Sequence, residues 1–324
     1  MDITNRNLTA LSYSNTPLSI YKAYDLTKMI EETRPDEVII TTPMTIDEVR
    51  CRRILETVER TAKRVRVRIN YRYAPHNKKA YDLLVEGVIG GMTSIHFEWA
   101  LNTGHGADYF RRWHRDKRNT GSLLIRKSTH HFNLIIFWLR SYEVAKKDPS
   151  ELHLEEYEQS RKLCLKAEHE DACYRDQSVF SGGINMKDTL GVSVNCKSGA
   201  MLSYSLAAYS PSEGFWVPFN WTEGRLELDI AEKSYFAINL RPLFKAPRKI
   251  EAGGGLGRYG GGDPVLLDDL FGDGGDEDRF RRAADHIDGA RSILTSMAAN
   301  RFLRSEGVVV VKDVLYLKEF GLSA

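Results

Sequence analysis

Residues 36–73 read DEVIITTPMTIDEVRCRRILETVERTAKRVRVRINYRY, and this stretch decides the class of fold. DEVIITT is a short apolar run after Pro35, which predicts a buried strand. TIDEVRCRRILETVERTAK opens with a capping box, Thr45 with Glu48. Its Cys51, Ile54, Leu55, Val58 and Ala62 fall on one helical face. RVRVRINYRY alternates as a strand with one wet face does. Upstream, NLTALSY predicts a strand and DLTKMIEET a short helix that Asp25 can cap. The order β-α-β-α-β is the signature of a parallel sheet covered by helices.

Beyond residue 73 the pattern becomes α+β. PHNKKAYDLLVEG predicts a helix closed by Gly87, and TSIHFEWAL a strand. NTGHGADYFRRWHRDKRNTGS reads as a loop. THHFNLIIFWL predicts a helix capped by Thr129, and residues 151–176 a polar helix. LGVSVNC and MLSYSLAAYS flank a turn at Lys197-Ser198-Gly199. FWVPFNW and RLELDIA flank another at Thr222-Glu223-Gly224. EDRFRRAADHIDGARSILTSMAANRFL carries apolar residues at helical spacing. The expected fold is therefore α/β plus α+β. An incomplete Rossmann-like parallel sheet (residues 1–73) precedes a larger domain (residues 74–324), whose open, mostly antiparallel sheet has helices on one face.

Composition narrows the class. The chain has 324 residues, 42% hydrophobic and 28% charged, with a net charge of +2. That balance gives no electrostatic reason to expect nucleic acid or an anionic membrane as partner. No apolar run is long enough to span a bilayer, and the first residues lack the form of a signal peptide. Cys51, Cys164, Cys173 and Cys196 have no metal-type spacing, so a reduced, cytoplasmic setting is expected.

Residues 255–260, GLGRYG, match the G-x-G-x-x-G pattern of a pyrophosphate-binding turn. The context does not: KAPRKIEA is a poor central strand. The next helix signal, Asp263 as N-cap with Pro264, falls after the last motif glycine. A flexible glycine-rich loop is the expectation there.

The order of several stretches resembles the Gfo/Idh/MocA oxidoreductases. They include PMTIDEVRCRRILETVER, INYRYAPHNKKAYDLLVEGVIGGMTSIHFEW, HGADYFRRWHRDKRNTGSLLIRKSTHHFNL, GAMLSYSLAAYSPSEGF and RAADHIDGARSILTSMAANR. The resemblance implies hydride transfer between NAD or NADP and a hydroxyl-bearing carbon of a sugar or cyclitol. It also implies homo-oligomers built through the sheet of the second domain. A lysine in a Glu-Lys-Pro step and a histidine early in a helix of the second domain handle the proton. His130 matches that histidine, and the adjacent Lys127 can supply a cation. Arg126 stands where many relatives have aspartate. Tyr71, Arg72 and His114 are placed near the substrate.

Two departures stand against this. Residues 1–86 contain no glycine, and a dinucleotide turn needs glycine for close backbone approach to the pyrophosphate. Thr41-Thr42-Pro43 occupies the place of Glu-Lys-Pro, so these three are the remaining cofactor-side candidates and the lysine is missing. The first domain reads as truncated and must lean on the second. The alternative is a catalytically inactive family member that binds small molecules or assembles with its own kind. A third reading, a metal held by His105, His114, His130, His131 and His169, lacks helical His spacing.

Overall fold

The computed structural model describes residues 26–141, 182–196, 198–231, 235–253, 258–272, 282–305 and 308–315. The expected strand NLTALSY, the Asp25 cap and the helix over 151–176 lie outside the described residues.

Helix α1 (Leu26–Thr33) leads into β1 (Glu37–Thr41). β1 pairs in parallel with β2 (Arg64–Arg68) across the crossover helix α2 (Glu48–Thr61). The cap of α2 is Asp47, whose carboxylate accepts from the Arg50 backbone N–H at 2.8 Å. Asp47 directly precedes the helix, so the expected Thr45 cap is displaced and Thr45 is buried instead. β2 also ends sooner than expected. Asn70–Tyr73 wind into a tight 3-10 turn with all four residues buried. Apolar residues at Ile69, Tyr71 and Tyr73 mimic the strand period, although the chain has left the sheet.

After α3 (Pro75–Val85) comes β3 (Met92–Asn102), an interior strand of a seven-stranded sheet. The other strands are β4 (Thr189–Asn195), β5 (Met201–Ser210), β6 (Gly214–Trp221), β7 (Gly224–Ala231), β8 (Tyr235–Pro242) and β9 (Arg248–Glu251). Their spatial order is β4-β5-β3-β6-β7-β8-β9, with β3 parallel to β5 and every other pair antiparallel. The inward residues of these strands, among them Phe97, Trp99, Tyr204 and Phe219, share one core with Trp138 and Phe132 of α7 (Ser128–Ser141).

The supposed loop over 102–122 is helical: α4 (Thr103–Arg111), a 3-10 turn at Trp113–Arg115, and α5 (Lys117–Thr120). Gly104 and Gly106 disguise it in the sequence. Gly106 is there for contact, since a Cβ would sit 1.7 Å from the Ala208 carbonyl oxygen. α6 (Leu123–Arg126) then runs into α7, so Thr129 is not a cap; its hydroxyl donates to the Ile125 carbonyl at 2.6 Å. Helix α8 (Gly262–Phe271) is entered from Gly261, not Asp263. Asp263 accepts from Arg68 at 2.9 Å and from Asn70 at 2.6 Å. Helix α9 (His286–Ser305) starts after Asp285, which accepts from the backbone of Ile287 and Asp288. Ala283 and Ala284 lie before it, in non-helical chain where the Ala284 carbonyl accepts from the Val67 N–H at 2.8 Å.

Met44, Cys51, Leu55, Val67 and Ile69 form a second core, and they form it with Ala290, Ile293, Leu294 and Met297 of α9. The two strands of this unit among the described residues have too little apolar surface to be stable by themselves. The joint is sealed by Arg72, which has no exposed side-chain surface. It donates to Asp288 at 2.9 Å and to Asn133 at 2.6 Å.

Removing one partner of such a pair leaves a buried charge behind, and this costs about 3–5 kcal/mol. Asp288→Ala should lower the unfolding free energy in urea by that amount. Glu37→Ala, at a partly exposed pair with Arg66, should cost under about 1 kcal/mol. Equal losses would mean that the Arg72 pair has no special weight.

Candidate active site at His130

The first turn of α7 carries two histidines that face different surroundings. His131 stacks on Trp99, ring centroids 4.3 Å apart, and its Nδ1 lies 2.7 Å from the Tyr204 hydroxyl. That hydroxyl donates to Ser128 at 2.8 Å, so it accepts from a protonated Nδ1 of His131. His131 is thus a satisfied core residue on one side. His130 points elsewhere: its ring meets Tyr71 edge-on at 5.7 Å and lies against Tyr259 at 5.6 Å. The two rings part because consecutive helical residues lie about 100° apart.

His130 is 7% exposed, and its Nδ1 has no hydrogen-bond partner among the described residues. Burial pushes its pKa down to about 3, helped by the cations Lys127, Arg126 and Arg68. The ring is therefore neutral, with an uncommitted nitrogen in a positive field. Lys127 is itself buried. Its Nζ lies 4.5 Å from the Trp99 ring centroid, 5.7 Å from Tyr71 and 5.9 Å from Tyr259. Three aromatic faces replace part of the hydration this ammonium has lost.

The other expected residues separate into groups. Tyr71 is at the centre, touching His130, Trp99 and Tyr259. Arg126 lies over Trp113 at 5.5 Å and acts on His130 through its charge. His114 is buried and stacks on Trp113 at 4.1 Å, with Tyr109 at 5.5 Å. Arg72 is a correction: it turns inward to Asp288 and Asn133, where it holds helices together and has no surface for a substrate. Among the described residues no cluster of three His, Cys, Asp or Glu could hold a metal ion; His169 lies outside them.

Sequence reasoning did not single out Trp99 or Tyr259. Trp99 is one aromatic in a core strand and nothing in its neighbourhood marks it. Tyr259 sits inside GLGRYG, a motif whose glycines drew attention to phosphate. Arg258–Gly261 is a tight turn packed on the site, so this part of the expected flexible loop is corrected.

The cofactor-side candidates give a clear answer about pyrophosphate. Thr41 is exposed, Thr42 donates its hydroxyl to the Arg68 carbonyl, and Pro43 and Met44 are buried. Met44 packs against Gly289 of α9, where a Cβ would lie 3.1 Å from its sulfur. The helix that follows begins with Asp47 and Glu48. A helix N-terminus binds phosphate through free N–H groups and its positive end. Here a carboxylate already takes an N–H and a second one sits beside it. This turn does not fit a dinucleotide pyrophosphate.

Comparison with known proteins bears on the class. The model of the oxidoreductase family C-terminal alpha/beta domain, Gfo/Idh/MocA, matches residues 82–241. A Bacillus subtilis (strain 168) protein named as oxidoreductase YteT is 31% identical over 283 residues, covering 72% of this chain and 66% of the relative. The chain belongs to the Gfo/Idh/MocA oxidoreductase family. It spans just under two thirds of that relative's length. The aligned stretch is longer than the part of this chain that enters it, so the relative carries internal segments without a counterpart here. Among solved structures, an Agrobacterium radiobacter oxidoreductase in complex with NAD+, L-tartaric acid and magnesium superposes with a TM-score of 0.61 at 12% identity, over 90% of this chain and 77% of that one. Levoglucosan dehydrogenase in complex with NADH and levoglucosan superposes at 0.59 and 16% identity, over 85% and 74%. These two share the fold. No helix among the described residues is long and apolar enough to cross a membrane.

Buried neutral histidines make stability depend on pH. His76 is also pushed down to about 3 by burial, and His131 well below its ordinary value. The unfolded chain takes up these protons near pH 6.5, whereas the folded chain does not until about pH 3 at His76 and His130, and only well below the ordinary value at His131. Stability is therefore full above about pH 6.5 and falls as the pH drops toward 3. Each group contributes about 1.4 kcal/mol per pH unit within that window. Urea unfolding at pH 7, 6 and 5 should show this loss, and His76→Gln should reduce the slope by about one proton. An unchanged slope would show that His76 is not buried neutral.

Proposed function

We propose that this chain is the substrate-binding part of an NAD(P)-dependent oxidoreductase acting on a hydroxyl-bearing carbon of a sugar or cyclitol. The observation that carries the reading is the neutral His130 with its unpartnered Nδ1 beside the caged cation Lys127. Removing hydride from a carbinol requires that the hydroxyl proton leave, so a base must accept it and a cation must steady the alkoxide. His130 Nδ1 is the acceptor, and Lys127 takes the part of the cation missing at Thr41-Thr42-Pro43. Tyr71 and Arg126 border the substrate, with His114 behind Tyr109. A nicotinamide dinucleotide would supply the hydride chemistry in this reading, although the β1–α2 turn does not fit its pyrophosphate. The boundary near residue 73 divides a reduced dinucleotide-side unit from the substrate domain. We place the chain in the cytoplasm as a homo-oligomer joined through the open sheet face, where Met201 and Trp216 are exposed.

One specific observation favours a second reading, binding or assembly without redox turnover: the carboxylates of Asp47 and Glu48 where phosphate would lie. Intrinsic fluorescence titration with NADH and NADPH separates the two. Saturable micromolar binding, with turnover of a hexose or cyclitol reduced about 10²-fold or more in His130→Asn, is the outcome expected of the oxidoreductase. Thermal stabilisation by myo-inositol or glucose with no dinucleotide response would establish the second reading. Absence of both responses would end the sugar assignment.

A further inference from the structure

GLGRYG offers no phosphate cradle, yet Tyr259 within it is held in an unusual way. Its backbone has φ 55 and ψ 37, inside a 3-10 turn spanning Arg258–Gly261. A bulky residue in the left-handed region is strained and persists only where its surroundings fix it. From below, the turn rests on His76. A Cβ at Gly260 would lie 2.3 Å from His76 Cε1, so only glycine allows that approach. From above, the Tyr259 ring meets Tyr71 edge-on at 5.0 Å and lies against His130 at 5.6 Å. Lys127 Nζ is 5.9 Å from its centroid. Beneath this ring His130 is 7% exposed, with Nδ1 unpartnered. Nδ1 itself is buried, so a substrate hydroxyl cannot meet it until something moves.

We propose that Tyr259 determines substrate specificity at this site: a sugar reaches His130 Nδ1 only by displacing the Tyr259 ring, which then packs on the sugar. The proposal rests on reading His130 as the base of a sugar site. The ligand class follows from the ring. A pyranose or cyclitol presents a rigid face of C–H groups that an aromatic ring covers, with its hydroxyls at the edge free to reach His130 and Lys127. A linear polyol has the same hydroxyls and no such face. Cyclic polyols are therefore preferred over linear ones.

Two measurements on the full chain test this. The first is the rate at which diethyl pyrocarbonate modifies His130, located by tandem mass spectrometry, in the wild type, Tyr259→Phe and Tyr259→Ala. Phenylalanine keeps the ring and should leave His130 as slow as in the wild type. Alanine should speed modification at least tenfold. Equal rates in the alanine variant and the wild type overturn the covering role, whatever sugars do. The second is calorimetric titration with myo-inositol, glucose and sorbitol. The wild type and Tyr259→Phe should bind the two rings at least tenfold more tightly than sorbitol, and Tyr259→Ala should lose that preference. An undiminished preference in the alanine variant overturns the stacking role. If His130 is unmasked in Tyr259→Ala but no polyol binds any form, the cover is supported and the sugar site itself is refuted.

Discussion

The buried pair of Arg72 and Asp288 is the constraint on which the rest depends. A guanidinium with no exposed surface is tolerable only where carboxylate and amide oxygens meet it, and here Asp288 and Asn133 do so. Those two residues belong to α9 and α7, and Arg72 belongs to the turn after β2. One side chain thus fixes three elements relative to one another. Tyr71, the residue before it, is set by the same turn against His130. Asn133 lies one helical turn after His130 and is tied in addition to Ser292 at 2.6 Å. The position of the candidate base is therefore inherited from an ion pair that never meets solvent.

The electrostatics of the two halves differ. Around His130 the charges are positive: Lys127, Arg126 and Arg68 all disfavour a second proton on the imidazole. Such a field suits a substrate oxygen that gains negative charge. At the start of α2, Asp47 is already engaged by the backbone N–H and the guanidinium of Arg50, and Glu48 follows it, so the N-terminus is not open to a phosphate. β2 ties both regions together: Arg68 reaches toward the histidine while its carbonyl receives the Thr42 hydroxyl. The β1–α2 turn is a packing joint, with Pro43 buried and Met44 packed on Gly289 of α9.

Much of the fold was legible because period and punctuation agree. The face of α2, the strand around Phe97 and Trp99, and the hairpin at Thr222-Glu223 each carry a local pattern that tertiary contacts do not override. Misreadings arose where two signals coincide. Ile69, Tyr71 and Tyr73 keep a strand period inside a 3-10 turn, and Gly106 reads as a loop although it marks a helix pressed on a sheet. For the site, His130 and Lys127 could be picked out from a local motif. Arg72 could not be told from a surface charge, because its partner Asp288 lies 216 positions away. Tyr259 was hidden for the same reason: nothing near it in sequence reveals that it faces His130.

That separation has a bearing on how the polypeptide matures. Val67 and Leu55 find their apolar neighbours chiefly in α9, so during synthesis they wait, uncovered, until most of the chain has left the ribosome. β1 and β2 are consequently secured only once α9 has been made. They spend that interval as adhesive segments, suited to protection by a chaperone until α9 arrives.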